Sequence, residues 1–221
     1  LDCFVIFEAD GLTDGAAPIE AAVFYHGAVE ILQALLGDIT AAGIVFPVDL
    51  RLRPGSKGSG FAASLASMAQ YYREWADPWE RQTLTRARLV AGAPAVGRSV
   101  RRLITALLYG ADAPPPDLKE MRMLRERMEK ELGKETPGLF HVKFGKGGLG
   151  DVEFITQALQ LVHGRRHPGI RRPNTLQAIR ASGPAGLVPA ADGAALADHY
   201  RFLRRVSGSL RLFGARPSDA L

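Results

Sequence analysis

Between Val45 and Gly55 apolar and charged residues alternate: Val45-Phe46-Pro47-Val48-Asp49-Leu50-Arg51-Leu52-Arg53-Pro54-Gly55, followed by the loose turn Ser56-Lys57-Gly58-Ser59-Gly60. Read with period two this is a strand, with Val48, Leu50 and Leu52 on one face and Asp49, Arg51 and Arg53 on the other. Pro54-Gly55 ends it, because proline gives no ladder donor and glycine turns the chain. A carboxylate beside two guanidiniums suits a divalent cation and the oxygens of a polyphosphate. It suits equally well an internal ion-pair row on a solvated sheet face.

The segments on either side frame this strand. Residues 2 to 8 read as a buried strand that opens at Leu1-Asp2 and closes at the turn Glu8-Ala9-Asp10-Gly11. From Glu20 to Leu36 the apolar positions Phe24, Ala28, Ile31 and Leu35 recur at helical spacing, which predicts an amphipathic helix buried on that stripe. The order is strand, helix, strand, with one carboxylate (Asp2, Asp49) on each strand.

Beyond the glycine turn the chain reads as helical. Helices are expected over Ser64 to Trp75, from Asp77-Pro78 through Arg88-Leu89-Val90 with Asp77 as N-cap, and over Arg98 to Tyr109. Gly110-Ala111-Asp112-Ala113-Pro114-Pro115-Pro116 reads as a stiff linker and places a domain boundary there. Asp117 to Leu132 is a charged helix. A further helix starts after Lys143-Phe144-Gly145-Lys146-Gly147-Gly148-Leu149-Gly150-Asp151. Its two stripes (Val152, Ile155, Leu159, Val162 and Phe154, Ala158, Leu161) predict burial on most sides. Asn174-Thr175 starts a short helix, and Ala195 to Leu212 forms the last, with Tyr200, Leu203, Val206 and Leu210 on one face.

Composition narrows the class of function. With 47% hydrophobic and 23% charged residues the chain reads as soluble and globular. A net charge of +5 favours an anionic partner. The single cysteine, Cys3, excludes a disulfide framework within the chain and fits a reducing cytoplasm. No apolar run reaches the roughly 18 residues of a membrane span. The chain opens inside a strand without methionine and stops just past a helix, at Ala215-Arg216-Pro217-Ser218-Asp219-Ala220-Leu221, so it reads as a piece of a longer protein.

Two carboxylates on neighbouring strands, Asp2 and Asp49, can share Mg²⁺ and so organise a triphosphate for in-line attack. Residues 145 to 151 have two readings. One is a phosphate cradle of backbone amides helped by Lys143 and Lys146; the other is a tight turn with Asp151 capping the helix. The sequence matches neither a Walker A loop nor a dinucleotide fingerprint there. His163 and His167 are four apart, but Gly164 and Pro168 break the helix and no HExxH pattern exists. No GxSxG elbow is present, which leaves hydrolase chemistry without support. Arg98, Arg101 and Arg102 lack the aromatic interleaving of a nucleic-acid surface.

Several of these stretches together resemble the glutamine synthetase adenylyltransferase family. They are Leu1-Asp2, Val48-Asp49-Leu50-Arg51-Leu52-Arg53-Pro54, Trp79-Glu80-Arg81-Gln82 with Arg86-Ala87-Arg88, Gly147-Gly148-Leu149-Gly150-Asp151-Val152-Glu153-Phe154, and Tyr200-Arg201-Phe202-Leu203-Arg204-Arg205-Val206. They span nearly the whole chain in order. The resemblance implies an α+β fold: a polymerase-β-like nucleotidyltransferase domain, truncated at its N-terminus, over residues 1–112, and an all-α helical domain over 117–221. In that family one half of a two-part enzyme moves AMP from ATP to a tyrosine of glutamine synthetase, and the other removes it by phosphorolysis. The PII signal protein and glutamine regulate both.

The resemblance places Asp2 at the second and Asp49 at the third of three Mg²⁺-binding aspartates; the first would precede Leu1. Arg51 and Arg53 are then assigned to phosphate or to carboxylate support. Asp151 within its motif, the Lys57-Gly58 turn and Leu89-Val90-Ala91-Gly92 are more similar to the adenylylating, C-terminal half. The expected partners are glutamine synthetase, PII and ATP, with no nucleic acid and no membrane, and the expected location is the cytoplasm. The alternatives are the deadenylylating half, a relative that uridylylates PII from UTP, and a non-catalytic docking module for PII or glutamine synthetase.

Overall fold

A computed structural model describes residues 2–41, 43–44, 46–55 and 60–213. The expectations at Leu1, at Val45, in the turn 56–59 and in the segment from Ala215 lie outside these residues. The described residues carry α-helices together with a two-stranded parallel sheet, a mixed helix-and-sheet arrangement. They divide into two compact units: residues 1–80 with 89–107, and residues 81–88 with 108–221.

In the first unit β1 (Val5–Phe7) is followed by α1 (Ala21–Gly37), and β2 (Ala62–Ser64) runs parallel to β1 with Val5 opposite Ala62 and Phe7 opposite Ser64. Phe7, Val29, Leu50, Met68 and Tyr72 are its buried centre, and Phe7 stacks on Tyr25 with ring centroids 4.7 Å apart. Ser64 ends β2 and caps α2 (Leu65–Glu74), its Oγ accepting from the Ser67 amide and donating to Asp10 Oδ2 at 2.8 Å. That cap fixes where strand becomes helix. α3 (Pro78–Leu84) begins after Asp77, whose amide donates to Glu80 Oε2 at 2.9 Å, half of a capping box. α4 (Pro94–Tyr109) follows.

Three expectations over residues 20 to 90 need correction. The alternating stretch does not form a strand over residues 48 to 53. Asp49 makes one parallel bridge, to Asp2, and the chain then turns, with the Arg53 amide donating to the Leu50 carbonyl at 3.1 Å. The cause is local: Asp49 Oδ1 accepts the Arg51 amide at 2.9 Å, a side-chain alternative to ladder pairing. The second correction concerns α1, which buries Val29 and leaves Phe24, Ile31 and Leu35 exposed. The buried face is the one that meets β2. Third, α3 ends at Leu84, and residues 85 to 87 continue as i→i+3 turns.

The second unit is helical. α5 (Leu118–Met128) is capped by Asp117, whose Oδ1 accepts the Glu120 amide at 2.9 Å. It runs into one turn of wider π-helix over Glu129–Gly133. α6 (Leu149–His163), α7 (Thr175–Ser182, capped by Asn174) and α8 (Ala190–Phe213) complete it. Val142, Leu149, Val152, Ile179, Ala197 and Tyr200 form its core, with Leu203, Val206 and Leu210 packed against them, so the face expected on the last helix is the one it buries. α6 differs: Ile155 and Val162 are exposed, while Thr156, Gln157 and Gln160 are buried. Polar residues are tolerated inside because each finds a partner. Thr156 Oγ1 donates to the Val152 carbonyl at 2.7 Å, and Gln160 Nε2 donates to the carbonyls of Ile170 and Arg172, both at 2.8 Å.

Candidate functional site

The bridge between Asp2 and Asp49 puts the two predicted metal ligands on adjacent chain segments in parallel register, locked by the Cys3 amide donating to the Asp49 carbonyl at 3.0 Å. Opposed residues in a ladder carry their side chains on the same side of the sheet. Asp2 is exposed and Asp49 half-buried.

The Asp49 carboxylate is already engaged. Arg51 Nε donates to Oδ1 at 3.0 Å and to Oδ2 at 2.8 Å, and Nη2 donates to Oδ2 at 2.5 Å. This two-pronged grip holds the Asp49 carboxyl below the usual carboxylate range, chiefly through the side-chain hydrogen bonds and secondarily through the Arg51 amide. Arg51 in turn is raised by Asp49 first and more weakly by Asp2, which places its cation within the field of both carboxylates. The Arg51 side chain is 87% exposed, so the grip is a surface ion pair that can open.

Arg53 lies differently. Its Nη1 donates to the Leu50 carbonyl at 3.0 Å, and its guanidinium sits 5.5 Å from the centroid of the Phe61 ring. Phe61 stacks on His26 at 4.6 Å, and His26 Nδ1 accepts the Phe61 amide at 3.1 Å. Of the two arginines, Arg51 therefore supports the carboxylate and Arg53 braces the turn that follows it. Nothing in the local pattern signals His26 or Phe61 in this cluster, because their pairing spans 35 positions.

Whether Mg²⁺ suits this place depends on the donors. Asp2 and Asp49 bring hard oxygen ligands from adjacent segments, and Mg²⁺ is commonly held by one or two carboxylates with substrate phosphates and water completing the octahedron. The Arg51 guanidinium lies across Asp49, so a cation there would have to share or displace that contact. The donor set fits. No group of three or more metal-binding side chains is found among the described residues. The Cys3 thiol is pushed up mainly by burial, the opposite of an activated nucleophile.

The glycine-rich segment before α6 resolves into a tight turn with Gly148 at the N-cap and no side-chain cap on the helix; Asp151 instead closes the turn that precedes it. Asp151 Oδ2 accepts the Gly147 amide at 2.6 Å, and Asp151 Oδ1 lies 2.6 Å from Nε of the buried Arg125. Arg125 Nη2 donates to the Gly145 carbonyl at 2.8 Å. Glu135 takes the amides of His141 (2.9 Å) and Lys146 (3.3 Å), which holds its carboxyl below the usual range. The protein's own carboxylates thus occupy amides that a phosphate would need. Sequence reasoning missed Arg125 as the hub of this turn, since it sits in a run of exposed charges.

Comparison with known proteins agrees with the resemblance. Residues 1–103 match the glutamate-ammonia ligase adenylyltransferase family. Residues 118–221 match the GlnD PII-uridylyltransferase family. Curated relatives named bifunctional glutamine synthetase adenylyltransferase/adenylyl-removing enzyme align along the whole chain. The protein from Mycobacterium avium (strain 104) is 34% identical over 99% of this chain and 22% of its own length. That from Xanthomonas oryzae pv. oryzae (strain MAFF 311018) is 33% identical over 100% of this chain and 23% of its own. One from Streptomyces avermitilis is 36% identical over 93% of this chain and 21% of its own. The chain thus spans between a fifth and a quarter of the relatives it matches. No helix among the described residues is long and apolar enough to cross a membrane.

Proposed function

We propose that this chain is part of a Mg²⁺-dependent nucleotidyltransferase that moves AMP from ATP to a tyrosine of glutamine synthetase; the names of its relatives support adenylyl transfer on glutamine synthetase. In this reading residues 1–112 are part of a polymerase-β-like catalytic domain and residues 117–221 part of a helical domain that docks the partner or the PII signal protein. The observation that carries the reading is the Asp2–Asp49 bridge, which sets two carboxylates side by side next to the exposed Arg51.

When bound, Mg²⁺ supplies charge neutralisation for the triphosphate. Asp2 and Asp49 would hold the cation, and the exposed Arg51 beside them is the guanidinium placed to meet phosphate oxygens. The substrate tyrosine oxygen attacks the α-phosphorus and forms a new P–O bond. The bond to the leaving pyrophosphate breaks, and the hydroxyl proton passes to solvent. Such transfer relies on positioning and electrostatics, which matches a site with no activated nucleophile of its own.

The test uses this sequence extended to the length of its relatives, with pyrophosphate release measured against added Mg²⁺ and glutamine synthetase. Asp49→Asn should reduce release by at least ~100-fold with an unchanged melting temperature, since one charge in the metal site is lost. Retained release in that variant would remove Asp49 from the chemistry. The second reading, the adenylyl-removing half, rests on the second half of the relatives' name. It requires ADP to form from phosphate and AMP-modified glutamine synthetase.

A further inference from the structure

The second unit carries an arginine-lined groove of about 970 Å³ that has no part in the reading above. Arg86 and Arg88 line it from the segment 81–88, and Arg201, Arg204 and Arg205 line it from α8, beside the first residues of α7. Two of the five guanidiniums are neutralised at home. Arg86 Nη1 is 2.7 Å from Glu153 Oε2, and Arg201 pairs with Asp198. Arg88, Arg204 and Arg205 are exposed, and no ion pair or hydrogen bond of their side chains is found among the described residues.

This arrangement works against the free protein. Arg204 and Arg205 are neighbours on α8 and Arg88 lines the same groove, so three guanidiniums without a paired carboxylate among the described residues repel one another there. The start of α7 adds the positive end of a helix dipole to the same groove. A multivalent anion reverses each of these costs at once. Guanidinium forks match phosphate oxygens in pairs, and a groove near the upper end of small-ligand volumes admits a chain of phosphates. The one aromatic in the lining, Tyr200, is 8% exposed and its hydroxyl is turned to Glu153 Oε1 at 3.3 Å, so no ring is open for a base to stack on. Recognition here is of phosphate charge.

We infer that the groove between segment 81–88, the start of α7 and α8 binds a small ligand carrying two or more phosphate groups, without a metal, through Arg88, Arg204 and Arg205. The test is calorimetric titration of the chain in EDTA with inorganic tripolyphosphate, ATP and adenosine. Tripolyphosphate and ATP should bind, and adenosine should not. Arg204→Gln with Arg205→Gln should weaken tripolyphosphate binding at least about tenfold, and Arg88→Gln, on a different segment, should weaken it independently. Asp49→Asn should leave it unchanged, which separates this site from the metal site proposed above. Absence of binding, or binding by the arginine variants as tight as by the unchanged chain, overturns the inference. Tighter binding of an acidic glutamate-rich peptide than of tripolyphosphate also overturns it, and makes the groove a protein-docking surface.

Discussion

Asp49 serves two partners that exclude one another. In the free chain its carboxylate is filled by Arg51, and a divalent cation must displace that guanidinium. Arg51→Gln should therefore strengthen Mn²⁺ binding several-fold, read by paramagnetic broadening or calorimetry, even as it weakens any phosphate contact. Unchanged Mn²⁺ affinity would mean that the cation does not meet Asp49. The two perturbed tyrosines offer a pH test. Burial and the Glu80 carboxylate push Tyr71 up to about 12, and burial pushes Tyr109 up to about 12. A group whose folded pKa is raised contributes stability that is complete below its unfolded value and is lost as pH rises through the folded one. Stability should hold to about pH 10 and decline towards pH 12, with Tyr71 and Tyr109 ionising above the ordinary tyrosine range in an absorbance titration.

At the scale of elements, what could be read in advance was whatever depended on neighbours in sequence. The starts of α5 and α7 follow from Asp117 and Asn174, whose side chains each cap an amide three residues on. The buried face of α8 follows from its apolar spacing. Faces chosen by tertiary contact were not legible. On α1 both sides are apolar enough to bury, and its packing on β2 selected Val29 over Phe24 and Ile31. On α6 the buried stripe is polar, because Gln160 ties down the carbonyls of a loop ten and twelve positions away. Gln160→Ala should cost ~1–3 kcal/mol in a denaturant melt, since it leaves two backbone acceptors unmet. A loss below a few tenths would show that water replaces the amide. β2 was also unreadable: Ala62-Ala63-Ser64 has no β-branched residue, and it is a strand only because β1 pairs with it.

At the scale of the whole molecule, two compact units carry different charge problems: a carboxylate pair in one and a row of guanidiniums in the other. The pairing of Asp2 with Asp49 in the first was legible in part. Period-two alternation singled out Asp49 with its arginines, and the carboxylate on the preceding strand singled out Asp2, although the strand itself gave way to a bridge and a turn. The groove in the second unit was not legible, since it assembles residues from three separated segments. The central claim is that Asp2 and Asp49 serve adenylyl transfer. Its most direct test is the intact mass of glutamine synthetase after incubation with Mg²⁺-ATP and this sequence extended to the length of its relatives. We predict one AMP adduct per modified tyrosine, absent with Asp2→Asn and with Asp49→Asn. An adduct that persists in both variants would contradict the claim.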